Sequence, residues 1–246
     1  MTEIKIDANG LHYKILNEKI RELISKGYKK IYIGNVFGQR YIGAGLREKD
    51  VEIYINGTPG NDLGCFMDGP KIFVNGNAQD GTGNTMNSGK IIIKGNAGDI
   101  LGHSMRGGEI YVKGDVGYRV GIHMKAYKNF YPVIVIGGIA KDFLGEYMAG
   151  GLIIILNLKE KKKIVGELTG TGMHGGEIFI KGEIDERTIG KEVKIFKPEK
   201  EDIEKIKFYI QKFSEYFGEK LRYIPSNNFI KLIPVSKRPY GKIYAY

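Results

Sequence analysis

A 19-residue repeat constrains this chain more than anything else in it. Gly57, Gly76, Gly95 and Gly114 stand 19 positions apart, and so do Met67, Met86, Met105 and Met124. Three segments read G-x-x-G-x-x-x-G: Gly57/Gly60/Gly64, Gly95/Gly98/Gly102 and Gly114/Gly117/Gly121. The segment opening at Gly76 keeps Gly83 but carries Gln79 in the middle slot. Met148 and Met173 follow Gly145 and Gly170 by three residues, so every methionine except Met1 occupies one position of the repeat. A short alternating run precedes each segment, for example Ile53-Tyr54-Ile55, Ile72-Phe73-Val74 and Ile110-Tyr111-Val112. Such alternation marks a strand with one face turned inward. One short strand per repeat leaves no room for a tight hairpin partner, and a period near 20 residues then means stacked coils.

The expected fold is all-β dominated: a right-handed single-stranded parallel β-helix of about seven to eight coils, with a short N-terminal helix and a C-terminal helix plus extended arm. A left-handed hexapeptide helix would need a period near 18 with an aliphatic residue at every sixth place, which is not seen. At the inter-strand spacing of about 4.8 Å, seven coils form a rod of roughly 34 Å. Equivalent side chains then lie above one another. Ile and Val form aliphatic ladders, the methionines an internal column, and Ala78, Ala97 and Val116 a tighter wall. Glycines fall where the chain turns at positive φ or passes too close to its neighbour for a Cβ.

Three regions follow. Residues 1–30 hold a strand and a capping helix, the latter from the spacing of Leu16, Ile20, Leu23 and Ile24. Residues 31–195 hold the coils. Two insertions interrupt them, Lys125–Tyr131 and Asn157–Lys163, and insertions of this kind map to a contact edge. Residues 196–246 supply a second helix, from Ile203, Ile206, Ile210 and Phe213, and a basic Tyr/Pro-rich arm. An open β-helix has unpaired strand edges at both ends, and the terminal elements are the expected covers for them.

The net charge of +10 raises a nucleic-acid reading, but residues 191–246 carry 13 Lys/Arg against 7 Asp/Glu, leaving residues 1–190 at only +4. A charge excess on a C-terminal appendage reads as a solvated face rather than a binding groove. One cysteine, Cys65, provides neither an internal disulfide nor a cysteine cluster site. Neither a leader pattern nor an apolar run of about 20 residues is seen, which points to a cytoplasmic protein with no membrane partner.

Chemistry-bearing motifs are few. Phosphate loops place a glycine-rich turn before a helix, whereas here the motif recurs with no helix behind it. Six methionines fill a narrow core more naturally than they bind a soft metal. His103, His123 and His174 stand at different offsets from their methionines, so they are not expected to converge as ligands. Asp62, Asp80, Asp99 and Asp115 fall in turns, where Asp bonds backbone. No catalytic, cofactor-binding or metal-binding residue is assigned. The polar coil carrying Gln79, Asp80 and Asn84 is the expected docking patch.

Gly102-His-Ser-Met105-Arg-Gly-Gly108 and Gly145-Glu-Tyr-Met148-Ala-Gly-Gly151, set in tandem glycine coils, resemble the C-terminal GXGXG domain of the glutamate synthase alpha subunit. The flanks are similar to its stand-alone archaeal form: Ile4–Asp7, Gln39–Gly43, Asp115–Met124 and Lys237–Tyr240. The same domain type occurs in one of the chains of formylmethanofuran dehydrogenase. The resemblance implies a structural subunit without catalytic residues, holding an amidotransferase and an FMN and iron–sulfur synthase that together form glutamate from glutamine and 2-oxoglutarate. FMN and the cluster would then lie on partner chains. The alternatives are a scaffold for another oxidoreductase, such as formylmethanofuran dehydrogenase, and a carbohydrate-active β-helix enzyme.

Overall fold

A computed structural model describes residues 3–218 and 228–235. Its strands are β1 (Glu3–Asp7), β2 (Lys30–Phe37), β3 (Glu52–Thr58), β4 (Asp68–Asn75), β5 (Ser88–Ile93), β6 (Glu109–Val112), β7 (Val133–Ile136), β8 (Ala149–Ile155), β9 (Gly175–Lys181), β10 (Val193–Phe196) and β11 (Phe229–Pro234). The helices are α1 (Tyr13–Ser25) and α2 (Lys200–Phe217). Strands β1 to β9 stack in chain order, all parallel, as a β-solenoid of about seven turns. Register is held residue on residue: Ile53 lies on Ile72, Ile72 on Ile91, and Ile91 on Ile110. These isoleucines and the six repeat methionines, Met67 to Met173, are wholly buried.

The three glycine slots answer to three different neighbours. At the third slot the chain has positive φ and points inward. A Cβ on Gly102 would lie 2.5 Å from Ile134 Cδ1, and one on Gly121 2.6 Å from Ile153 Cδ1. In the middle coils the first two slots face the preceding coil, where an Asn or Asp side chain reaches across to a backbone amide. Asn77 Oδ1 accepts from Asn96 N at 2.8 Å and Asp80 Oδ1 from Asp99 N at 2.8 Å. Asn96 and Asp99 do the same for Asp115 N and Tyr118 N. Each acceptor oxygen sits where a Cβ on Gly95, Gly98, Gly114 or Gly117 would collide with it. Asn61, one coil before Gln79, lends no side-chain acceptor of this kind among the described residues, so the middle slot there tolerates a side chain.

The first segment departs from this pattern, although the sequence reads Gly57, Gly60 and Gly64 as equivalents of the later triplets. Gly57 stands inside β3 rather than in a turn, and at φ 123° its Cβ would lie 2.1 Å from Val36 O. Gly60 is buried and does not take positive φ. Its Cβ would lie 2.2 Å from Gly38 O, a backbone atom with no Asn or Asp arm in between. The reason is the irregular first coil, which offers Gly38 and Gln39 there and so lends its own carbonyls instead of a short polar side chain. Only Gly64 keeps the role of its later counterparts. It is buried at φ 65°, and its Cβ would lie 2.7 Å from Ile91 Cδ1.

Two non-inward positions per coil adopt positive φ largely without glycine: Asp62, Ile100, Arg119 and Phe143 in one, and Phe66, Thr85, Ser104, His123 and Tyr147 in the other. This conformation costs an L-residue roughly 1–2 kcal/mol. It turns the amide toward the following coil, where Asp62 N reaches Asp80 O at 2.9 Å and Ser104 N reaches Ile122 O at 2.8 Å. Each strained residue thereby gains an inter-coil bond.

The two ends are covered in different ways. Helix α1 closes the first coil through Leu16, Ile20 and Ile24, with Asn17 Nδ2 donating to Arg40 O and Arg21 to Ala44 O. Helix α2 covers no end. It lies across the outer face of the sheet, because that face is apolar from β5 onward. The far edge is closed by β11, antiparallel to β9, with β10 outside it. The part of the expected arm at 229–234 is therefore a sheet strand: Phe229 and Leu232 are apolar enough to be buried there. Residues 219–227 and 236–246 of the arm lie outside the described residues. Among the described residues no helix is long and apolar enough to cross a membrane.

Candidate docking interface

Outward residues of successive strands form a second column in register. It runs through Tyr32, Tyr54, Phe73, Ile92 and Tyr111 and continues through Val135, Ile154 and Phe179. Its later half is buried beneath Ile206, Ile210 and Phe213 of α2. Charged pairs fasten the helix along one side. Lys212 Nζ donates to Glu109 Oε1 at 2.8 Å, Lys90 Nζ lies 3.3 Å from Glu109, and Tyr111 Oη donates to Glu109 Oε2 at 2.8 Å. Burial pushes the Glu109 carboxyl up, but the bonds from Lys212 and Tyr111 and the Lys90 charge outweigh it and hold the group below its ordinary value. At the other end Lys231 Nζ reaches Asp202 at 2.9 Å and Glu177 at 2.8 Å, and Lys205 bonds Glu177. Asp202 is likewise held low: burial opposes ionisation, and the Lys231 bond and the Glu199 amide prevail.

Among the described residues the earlier half of the column has no such cover. Tyr32 and Tyr54 stack at 4.7 Å with ring planes 13° apart, and Tyr54 and Phe73 at 4.8 Å with planes 8° apart. All three are half-buried. They floor a groove of about 650 Å³ that ends against Tyr216 of α2 and is rimmed by Lys5, Asp7 and Lys94. The sequence pattern points outward along these strands without singling out this stretch of the face. The run of aromatics between the isoleucines was the available signal.

A polar seam follows the glycine turns. Asn84 Nδ2 donates to Asp62 Oδ1 at 3.2 Å, and Asn84 Oδ1 lies 3.2 Å from His103 Nδ1. The rings of His103 and His123 come within 6.1 Å, and His123 stacks on Tyr147 at 5.4 Å. Two of the histidines are thus neighbours despite their different offsets. They hang from the same turn of adjacent coils, and coil spacing outweighs the one-residue offset. Burial, then the His123 charge, lowers the His103 pKa. Cys65, at the head of the seam, is buried, and desolvation with the Asp62 charge pushes its thiol up to about 11. Such a thiol is not a nucleophile at neutral pH. Glu146 Oε2 has no hydrogen-bond partner among the described residues; Arg119 Nε at 3.5 Å faces it as a charge, unaligned for a bond.

Of the expected docking residues, Gln79 is exposed, Asp80 is committed to the Asp99 amide, and Asn84 belongs to the polar seam. The insertions both fold onto the coil edge. Tyr127 and Phe130 bond each other's backbones with their rings about half exposed, and Asn157 holds Lys161, which pairs with Asp115 at 2.7 Å.

A family profile described as the GXGXG motif matches residues 24–234. The chain belongs to the GXGXG family. A GXGXG relative, the uncharacterized protein MJ1350 of Methanocaldococcus jannaschii, is 53% identical over 253 residues, covering 99% of this chain and 97% of its own. Among solved structures, the GXGXG coils resemble a chain of the formyltransferase/hydrolase complex (FhcABCD) from Methylorubrum extorquens, determined with methylofuran. The TM-score is 0.63 at 19% identity, over 87% of this chain and 88% of that one. At that identity the likeness is one of fold.

Proposed function

We propose that this chain is a structural subunit of a multi-subunit glutamate synthase, holding an amidotransferase and an FMN and iron–sulfur synthase in place without contributing catalytic residues. The observation that carries the reading is the use to which the repeat puts its acids. Asp80, Asp99, Asp115 and Asp142 each accept a backbone amide of the next coil, so side chains that could serve as acids or bases are engaged in holding coils together. Family membership over residues 24–234 supports a subunit role, and the similarity of the flanks to the stand-alone glutamate synthase domain favours this complex. Gln79, exposed beside Asp80, serves in this reading as a further contact point for a partner.

A second reading is favoured by one observation: the solved chain of similar fold sits in a formyltransferase/hydrolase complex. On that reading the chain supports a C1-transferring enzyme, such as formylmethanofuran dehydrogenase. Copurification of the untagged native chain separates the two. Recovery with flavin- and cluster-bearing proteins and glutamine-dependent glutamate formation supports the first. A molybdopterin-bearing partner supports the second and overturns the first. Polysaccharide turnover by the isolated chain overturns both.

A further inference from the structure

We infer that the aromatic groove over β2, β3 and β4 is the seat of an amphipathic helix from a partner protein, laid end to end with α2 along the same sheet face. The inference rests on the structural-subunit reading and names the surface that reading requires.

The face itself shows what covers it. From β5 to β9 the outward column is sealed by a helix whose Ile206, Ile210 and Phe213 sit on the strands and whose lysines pair with strand glutamates. Helix α2 stops over the boundary: Gly218 takes the left-handed conformation at φ 66°, and Tyr216 forms the end wall of the groove. The column continues past that wall in unbroken register from Ile92 to Phe73, Tyr54 and Tyr32. Three stacked rings left half-buried form an apolar track in line with the helix axis. Three to four strands at about 4.8 Å span some 14–19 Å. That length matches roughly 10–13 helical residues at 1.5 Å each.

Charge decides what flanks the occupant's apolar stripe. On the side where the strands begin, Glu52 pairs with Lys71 at 3.2 Å and Lys30 with Glu3 at 3.9 Å, so that rim is already neutralised. On the opposite rim Asp7 is engaged by Asn9 N and Asn35 Nδ2. Lys94 stands exposed on that rim, and Lys5, exposed and in register with Tyr32, closes the far end of the column; neither ammonium group has an ion-pair or hydrogen-bond partner among the described residues. The occupant is therefore a short helix with an aliphatic or aromatic stripe, a carboxylate on the flank that faces Lys94 and an acidic end that meets Lys5 beyond Tyr32.

The test uses the complex as it copurifies. Charge reversal by Lys5→Glu and Lys94→Glu together alters only exposed groups, so the chain should melt as the parent does. The proposal expects partner affinity to fall at least tenfold, while Lys191→Glu, an exposed reversal beside β10 at the opposite end of the sheet, leaves it within twofold. A photocrosslinking residue at Tyr54 should join this chain to an acid-flanked helical peptide of the partner. Unchanged affinity in the double reversal, with the partner still bound, overturns the groove assignment and leaves the subunit reading standing. So does a crosslink from position 54 to residues 219–246 of the same chain or to a second copy. Recovery of the chain alone overturns both.

Discussion

Asp99 accepts the backbone N–H of Tyr118, one coil further along, at 2.9 Å, and its Oδ1 fills the place a Cβ on Gly117 would occupy. The glycine and the aspartate are thus two halves of one fastener: the first makes room, the second bonds through it. Gly117→Ala should lower stability by about 2–3 kcal/mol, since it displaces the carboxylate and strands the amide. Asp99→Asn, which keeps the acceptor oxygen, should stay within about 0.5 kcal/mol of the parent, and Asp99→Ala should lose about 1 kcal/mol. Equilibrium denaturation checks the order; an Asn variant as weak as the Ala variant would mean that charge, not the acceptor, matters.

The third glycine makes a different prediction. Gly102 points at Ile134 Cδ1, so Gly102→Ala should cost about 2–4 kcal/mol. Removing that methyl with Ile134→Val costs only about 0.5–1.5 kcal/mol alone. Combined, the two should be less destabilising than their sum by at least about 1 kcal/mol. Additive effects would show that the glycine is there for φ alone.

Met105→Asp should unfold the middle coils, because a charge would enter a wholly buried column with no polar partner. Loss of the cooperative thermal transition is the expected result. A variant that melts like its parent would place the methionine outside the core.

Helix α2 should loosen in acid. The carboxyls of Glu109 and Asp202 have folded pKa values below their ordinary 4.5 and 3.8, so their contribution is complete above those values. It is lost as pH falls through the lower folded values. Hydrogen exchange of α2 amides should accelerate below about pH 4 while amides of β4 and β5 stay protected. Glu109→Gln should remove part of that acid sensitivity.

Much of the fold was legible because a solenoid writes its geometry into one period. Ile53, Ile72, Ile91 and Ile110 recur in step because they stack, and the methionines share one slot for the same reason. What escaped notice lacked such a signature. Gly60 and Gly98 look alike in the repeat, yet one avoids a carbonyl and the other a carboxylate, since the coil beneath differs. Phe66, Ser104 and His123 share positive φ but no side-chain chemistry, because the inter-coil amide bond that holds them belongs to the backbone. The path of α2 was hidden because its apolar stripe says that it packs, not where. Only the outward Tyr111, Val135 and Ile154 reveal its seat. The acids in the turns were read as backbone acceptors, but the amides they serve lie a whole coil away and become neighbours only on folding.

On the proposed reading this chain supports chemistry carried out by its neighbours. The decisive measurement is glutamate formation by the copurified partner chains with and without this subunit. Without it, glutaminase activity and ammonia-dependent glutamate formation should persist while glutamine-dependent synthesis falls at least tenfold, returning when the subunit is added back. Glutamine-dependent synthesis at the full rate in its absence would contradict the account.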